Sequence, residues 1–130
     1  MTCRFAVSIT FALLLCGCGD SPAPESLAII EYNKGNDFLD KEDWDTAIAC
    51  YSDAILLNPD YGKAYNNRGV AYDEKGESDA AIKDYTEAIR LQPDDADAYR
   101  NRGAAYRMKG DKTKANADFA KADELLEAKK

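Results

Sequence analysis

Histidine is absent from all 130 residues, and of the four cysteines only Cys50 lies beyond position 18. The missing imidazole removes the usual general base near neutral pH and the commonest metal ligand. That excludes histidine-dependent triads, histidine-ligated zinc and histidine pH switches. Basic residues are few beside acidic ones, 17 Lys and Arg against 24 Asp and Glu, for a formal net charge of −7. A nucleic-acid binder needs a positive field over its contact face, so the expected partners are proteins and peptides, not nucleic acid. A Gly-rich phosphate loop and a paired-cysteine metal motif are also missing, and the serines lack a base to activate them. No catalytic residue, metal or cofactor is expected, and the chain reads as a non-enzyme of one globular domain at most.

One apolar run stands out, FAVSITFALLL over residues 5–15, preceded by Arg4. It is shorter than the roughly twenty residues needed to span a bilayer, and its charged start and small residues at Gly17 and Gly19 read as a secretory signal. Leu15-Cys16-Gly17-Cys18 resembles the lipobox of bacterial lipoproteins, with Cys16 a departure from the small or branched residue more usual there. The resemblance implies that residues 1–17 are a lipoprotein signal peptide and that Cys18 is lipidated with diacylglyceryl and palmitate-type chains. Two or more acyl chains suffice for a stable membrane anchor. Residues 18–26 are then the lipidated cysteine and a tether, GDSPAPES, rich in Pro, Ser and Gly. Gly19 after the cysteine points to the outer membrane of a bacterial envelope, facing the periplasm.

The remainder repeats with a period of 34 residues. Gly35, Gly69 and Gly103 are so spaced, as are Ala47, Ala81 and Ala115; Tyr51, Tyr85 and Phe119; Ala54, Ala88 and Ala122; Phe38, Tyr72 and Tyr106; and Pro59 with Pro93. Each unit holds two stretches with apolar and small residues three or four apart, the pattern of paired amphipathic helices. The small residues suit close helix approach, and the tyrosines serve as knobs that fill the space between pairs. Pro59 and Pro93 end second helices; Asp43, Asp60, Asp94 or Asp95, and Asp111 are candidate N-caps. The register resembles the tetratricopeptide repeat, with six of six signature positions matched in residues 28–61, six in 62–95 and five in 96–130, where Glu127 replaces the proline. The fold class is therefore all-α: three helix-turn-helix repeats in what the resemblance implies is a short right-handed α-solenoid arc.

In that family the first helices of each unit line a concave groove that takes a peptide or helix. Carried over position by position, the groove holds Tyr32, Asn33, Asn36, Lys63, Asn66, Asn67, Val70, Arg100, Asn101, Ala104 and Arg107. Asn33, Asn67 and Asn101 lie 34 apart. An amide both donates and accepts, so such a row suits the backbone of an extended peptide; the other reading is that each amide satisfies groups between helices. A basic clamp for C-terminal carboxylates, present in some members, is not expected. Asn36 and Asn67 match its asparagines, but its lysine and arginine positions carry Tyr32, Asp97 and Asn101.

Lys34, Arg68 and Arg102 form a second row, with Asp84 and Asp118 recurring where the arginines recur, so intramolecular ion pairs are expected. Cys50 stands where its sister units carry Asp and is read as a semi-buried thiol with partial access. Trp44 reads as a packing residue. Charge is graded: residues 28–61 carry 8 acidic and 2 basic side chains, 62–95 carry 8 and 5, and 96–130 carry 6 and 9. A partner's acidic segment at the third unit, or head-to-tail association, follows from that gradient as a hypothesis. The expected function is a lipid-anchored envelope scaffold or adaptor that binds a partner protein in its groove. The alternative is a structural subunit that self-associates or joins an envelope assembly through an open third repeat, near Leu125 and Leu126.

Overall fold

The computed structural model describes residues 22–130; the expected signal peptide and the lipidation of Cys18 lie outside the described residues. It shows six helices and, among the described residues, no strand: α1 (Pro24–Leu39), α2 (Trp44–Leu57), α3 (Gly62–Glu74), α4 (Ser78–Leu91), α5 (Ala96–Met108) and α6 (Lys112–Glu127). None of them is long and apolar enough to cross a membrane. Helix α1 begins at Pro24, so the last three residues expected in the tether, Pro24, Glu25 and Ser26, are helical instead. Proline at a first helical position loses no hydrogen bond and has its φ already set, which explains the early start.

Aspartate side chains cap the starts of three of the six helices. Asp43 accepts from the Thr46 N–H, Asp95 from those of Asp97 and Ala98, and Asp111 from that of Lys114. Asp60 does not cap α3, which starts after Tyr61 with no side-chain cap; the Asn58 side chain instead accepts from the Asp60 N–H and shapes the turn. The α3–α4 and α5–α6 turns close on Gly76 and Gly110 at φ 79° and 85°, whereas the first turn places Glu42 at φ 60°. That left-handed conformation costs a side chain with a Cβ roughly 1–2 kcal/mol.

Consecutive helices pack on one another, and the inner helices α1, α3 and α5 also touch in sequence while α2, α4 and α6 do not. This difference curves the stack and puts α1, α3 and α5 on its concave side. The core is built of small residues: Ala47, Ala54, Ala64, Ala71, Ala81, Ala98 and Ala105 are all buried. Into it project Tyr51 and Tyr85, buried against the helix backbones at Gly35 and Gly69. A Cβ at Gly35 would lie 2.5 Å from the Tyr51 ring, and one at Gly69 would lie 2.7 Å from that of Tyr85. The glycines thus allow close approach within each helix pair, where the tyrosine meets bare backbone, and the same Tyr51 and Tyr85 also pack in clusters with Ala71 and Ala105 of the next unit, the between-pair role expected of Tyr85. Cys50 is fully buried, so the expected partial access of its thiol is not found; its helix face meets the core, not solvent.

Candidate functional site: the concave face

Two buried ion pairs hold the inner helices to the outer ones. Arg68 donates from Nε and Nη2 to both carboxylate oxygens of Asp84 at 2.7 and 2.8 Å, and Arg102 does the same to Asp118 at 2.8 Å for each bond. Asp84 and Asp118 are each 6% exposed, which bidentate pairing makes tolerable. The hydrogen bond to its aspartate holds each guanidinium's pKa above the usual arginine range. The arginines also lie over the rings of Tyr65 and Tyr99. These side chains therefore belong to the scaffold, as the pairing of Arg with Asp in the sequence implied. Lys34, which has Cys50 at the matching place, pairs with Glu31 on its own helix and also interacts electrostatically with Asp53 of α2.

The concave face proper is made by Tyr32 of α1, Lys63, Asn66 and Asn67 of α3, and Asp97 of α5. With Gln92, Asp94, Asp95 and Lys129 they line a depression of about 410 Å³. Tyr32 packs its ring 5.0 Å from that of Tyr61 and 5.8 Å from that of Tyr51. Asn67 donates through Nδ2 to Tyr32 Oη at 3.1 Å and to Asn36 Oδ1 at 2.9 Å, while Asn36 Oδ1 also accepts from Tyr51 Oη at 2.7 Å. Asn101 donates to Asn66 Oδ1 at 3.2 Å. Each repeating asparagine reaches back to the unit before it, and Asn33, which has none before it, is exposed.

Asn67 thus spends both amide hydrogens, and Asn101 one of its two, on joining repeats, which leaves the Asn67 carbonyl oxygen and the Asn66 amide nitrogen on the wall of the depression. Of the other residues assigned to the groove, Arg100 and Arg107 are exposed, with Arg107 over the Phe119 ring at 5.5 Å; Val70 and Ala104 are half-buried. Asn33, Asn36, Arg100, Asn101 and Arg107 do not line the depression. Gln92, Asp94, Asp95 and Lys129 do, and repeat position assigned none of them to the groove. They arrive through the α4–α5 turn and the end of α6, where Lys129 Nζ donates to the Asp94 carbonyl at 3.2 Å across 35 residues. Asp97 faces the depression where a carboxylate clamp needs a cation.

A family profile described as TPR repeat matches residues 35–76 and 74–110, more than half of the chain. The crystal structure of MamA is similar at 36% identity and a TM-score of 0.76, covering 78% of this chain and 60% of that one. The second TPR of Spaghetti (RPAP3), bound to the HSP90 peptide SRMEEVD, aligns at 31% identity and a TM-score of 0.76, covering 78% of this chain and 94% of that one. Hsp70-Hsp90 organizing protein 1 of Arabidopsis thaliana is 45% identical over 42 residues, 32% of this chain and 7% of the relative. This chain thus spans less than two thirds of MamA and a small part of the organizing protein. Repeats of this kind are protein-interaction scaffolds, and relatives bind peptides of partner proteins. By profile, by periodicity and by fold, the chain belongs to the tetratricopeptide repeat family.

Proposed function

We propose that the protein is a lipid-anchored envelope adaptor, held through Cys18, that binds a segment of a partner protein on its concave face and catalyses nothing. The observation that carries the binding role is the depression over α1, α3 and α5, where Lys63, Asn66 and Asn67 stand at the surface with polar atoms beyond those the fold consumes. Peptide binding by Spaghetti (RPAP3) supports the mode, and Tyr32, Asp97 and Asn101 in the clamp positions argue that the ligand is not an acidic C-terminal tail. Anchoring rests on the resemblance of Leu15–Cys18 to a lipobox, with outer-membrane placement following from Gly19.

The test captures partners from envelope extract with the wild-type chain and with a Lys63→Ala, Asp94→Ala, Asp97→Ala variant, three residues that line the depression. All three side chains are exposed, so the variant keeps the fold. Partners lost with the variant are the expected result; an identical set of partners from both refutes the groove. The anchor is tested separately by the intact mass of membrane-extracted protein. A mature chain starting at an unmodified residue 19 or later would refute lipidation at Cys18.

A further inference from the structure

The seams between repeats use one set of contacts, repeated at the 34-residue period. Arg68 Nη1 donates to Ser52 Oγ at 3.0 Å, and Arg102 Nη1 to Thr86 Oγ1 at 3.2 Å. Lys75 pairs with Asp45 at 2.6 Å, and Lys109 pairs with Asp79. Asn67 reaches Tyr32, and Asn101 reaches Asn66. Ala71 packs with Ala47, Tyr51 and Ile48, and Ala105 with Ala81, Tyr85 and Ile82. Every contact joins a giving position on one repeat to a receiving position on the repeat before it.

At the far face of the third repeat the polar and large apolar receiving positions have changed, and only the small residue at Ala115 is kept from Ala47 and Ala81. Thr113 replaces the aspartates at 45 and 79; Ala120 replaces Ser52 and Thr86; Arg100, a donor only, replaces Tyr32 and Asn66. Asn116 stands in for Ile48 and Ile82 of the seams, and Asp123 for Ile55 and Ile89, which are half-buried; Asn116 and Asp123 are both exposed. The near face of the first repeat is altered as well. Asp37, exposed, occupies the position where Ala71 and Ala105 are 0% exposed, and Ile30, 46% exposed, takes that of the buried Ala64 and Ala98. Another repeat stacked on α1 in the internal register would bury the Asp37 carboxylate against an apolar seam and collide with Ile30.

We infer that Asp37 with Ile30 at one end, and Thr113, Asn116, Ala120 and Asp123 at the other, are end caps that close the three-repeat unit to in-register stacking. Neither a second copy nor a repeat from another protein extends the solenoid, and the open third repeat considered from the sequence is not an interface of that kind.

The test is lysine crosslinking of a mixture of isotope-labelled and unlabelled full chains in excess detergent micelles, scored for intermolecular links from Lys34 or Lys41 to Lys112 or Lys114. Wild type is expected to give background levels. A chain carrying Ile30→Ala and Asp37→Ala together with Thr113→Asp, Asn116→Ile, Ala120→Thr and Asp123→Ile is expected to give about tenfold more. Ala105→Asp places the capping charge inside a seam and is expected to strip hydrogen-exchange protection from α5 and α6. End-to-end links in wild type, or a helical reverted chain that stays at background, would overturn the inference. So would Ala105→Asp with α5 and α6 as protected as before.

Discussion

Replacing Gly35, Gly69 and Gly103 one at a time by alanine probes the packing that sets the repeat. At Gly69 the new Cβ would sit 2.7, 2.9 and 3.1 Å from three Tyr85 ring atoms. Tyr85 cannot give way freely, being 1% exposed with its hydroxyl donating to Asp73 at 3.0 Å. Overpacking of this kind costs about 1–3 kcal/mol, against a gain of about 1 kcal/mol from exchanging glycine for alanine in a helix interior. At Gly35 the approach is 2.5 Å to fully buried Tyr51, and the cost belongs at the upper end. At Gly103 the nearest atom is Phe119 Cε1 at 3.0 Å; that ring is only half-buried and carries no hydroxyl, so helix propensity cancels most of the strain. The expected order of destabilisation is Gly35→Ala over Gly69→Ala over Gly103→Ala, with net costs of about 2, 1 and 0 kcal/mol. Urea unfolding followed by far-UV circular dichroism reads it, and each kcal/mol shifts Tm by about 4–8 °C at this size. Equal effects at the three sites, or Gly103→Ala the worst, would refute the reading of glycine as space for the tyrosine knob. A double-mutant cycle of Gly69→Ala with Tyr85→Leu should show coupling of about 1 kcal/mol, since the smaller side chain removes the clash.

Other outcomes follow from the same geometry. Arg68→Ala strands the Asp84 carboxylate at 6% exposure and should cost about 3 kcal/mol in urea unfolding, with the Arg68→Ala, Asp84→Ala pair costing less than the sum. Lys75→Ala, which removes a pair with an exposed partner, should stay within about 0.5 kcal/mol in the same assay. Glu42→Gly relieves the left-handed residue in the first turn and should raise stability by about 1 kcal/mol, while Gly110→Glu should lower it by a similar amount. Burial raises the Asp73 pKa despite the Tyr85 hydroxyl, and Asp73 Oδ1 is buried without a partner. The charged carboxylate therefore weakens the fold above its titration range and no longer does so once protonated. Val70→Asn with Asp73→Leu, which copies the Asn36 and Leu39 arrangement around Tyr51, should raise Tm at pH 7. That advantage should fade as the pH is lowered through the carboxylate range, because wild type then sheds its penalty. An advantage independent of pH would contradict the account.

The 34-residue register, the all-α class, the helix pairs and the pairing of Arg68 and Arg102 with aspartates were legible in the sequence, because each rests on local periodicity or on residues that recur together. Helix caps were legible where an aspartate directly precedes a helix, as at Asp43 and Asp111, and not at Asp60, where the competing Asn58 turn fixes the chain first. The candidate site was only half legible. Its α1 and α3 residues follow from repeat position, but Gln92, Asp94 and Lys129 reach it through a contact spanning 35 residues, which no local pattern encodes. The asparagine row shows the same division. Sequence determined that Asn67 and Asn101 recur, and only the stacking of one repeat on the next decided that their amide hydrogens join repeats, since a side chain's partner across a seam depends on helix packing and not on spacing along the chain.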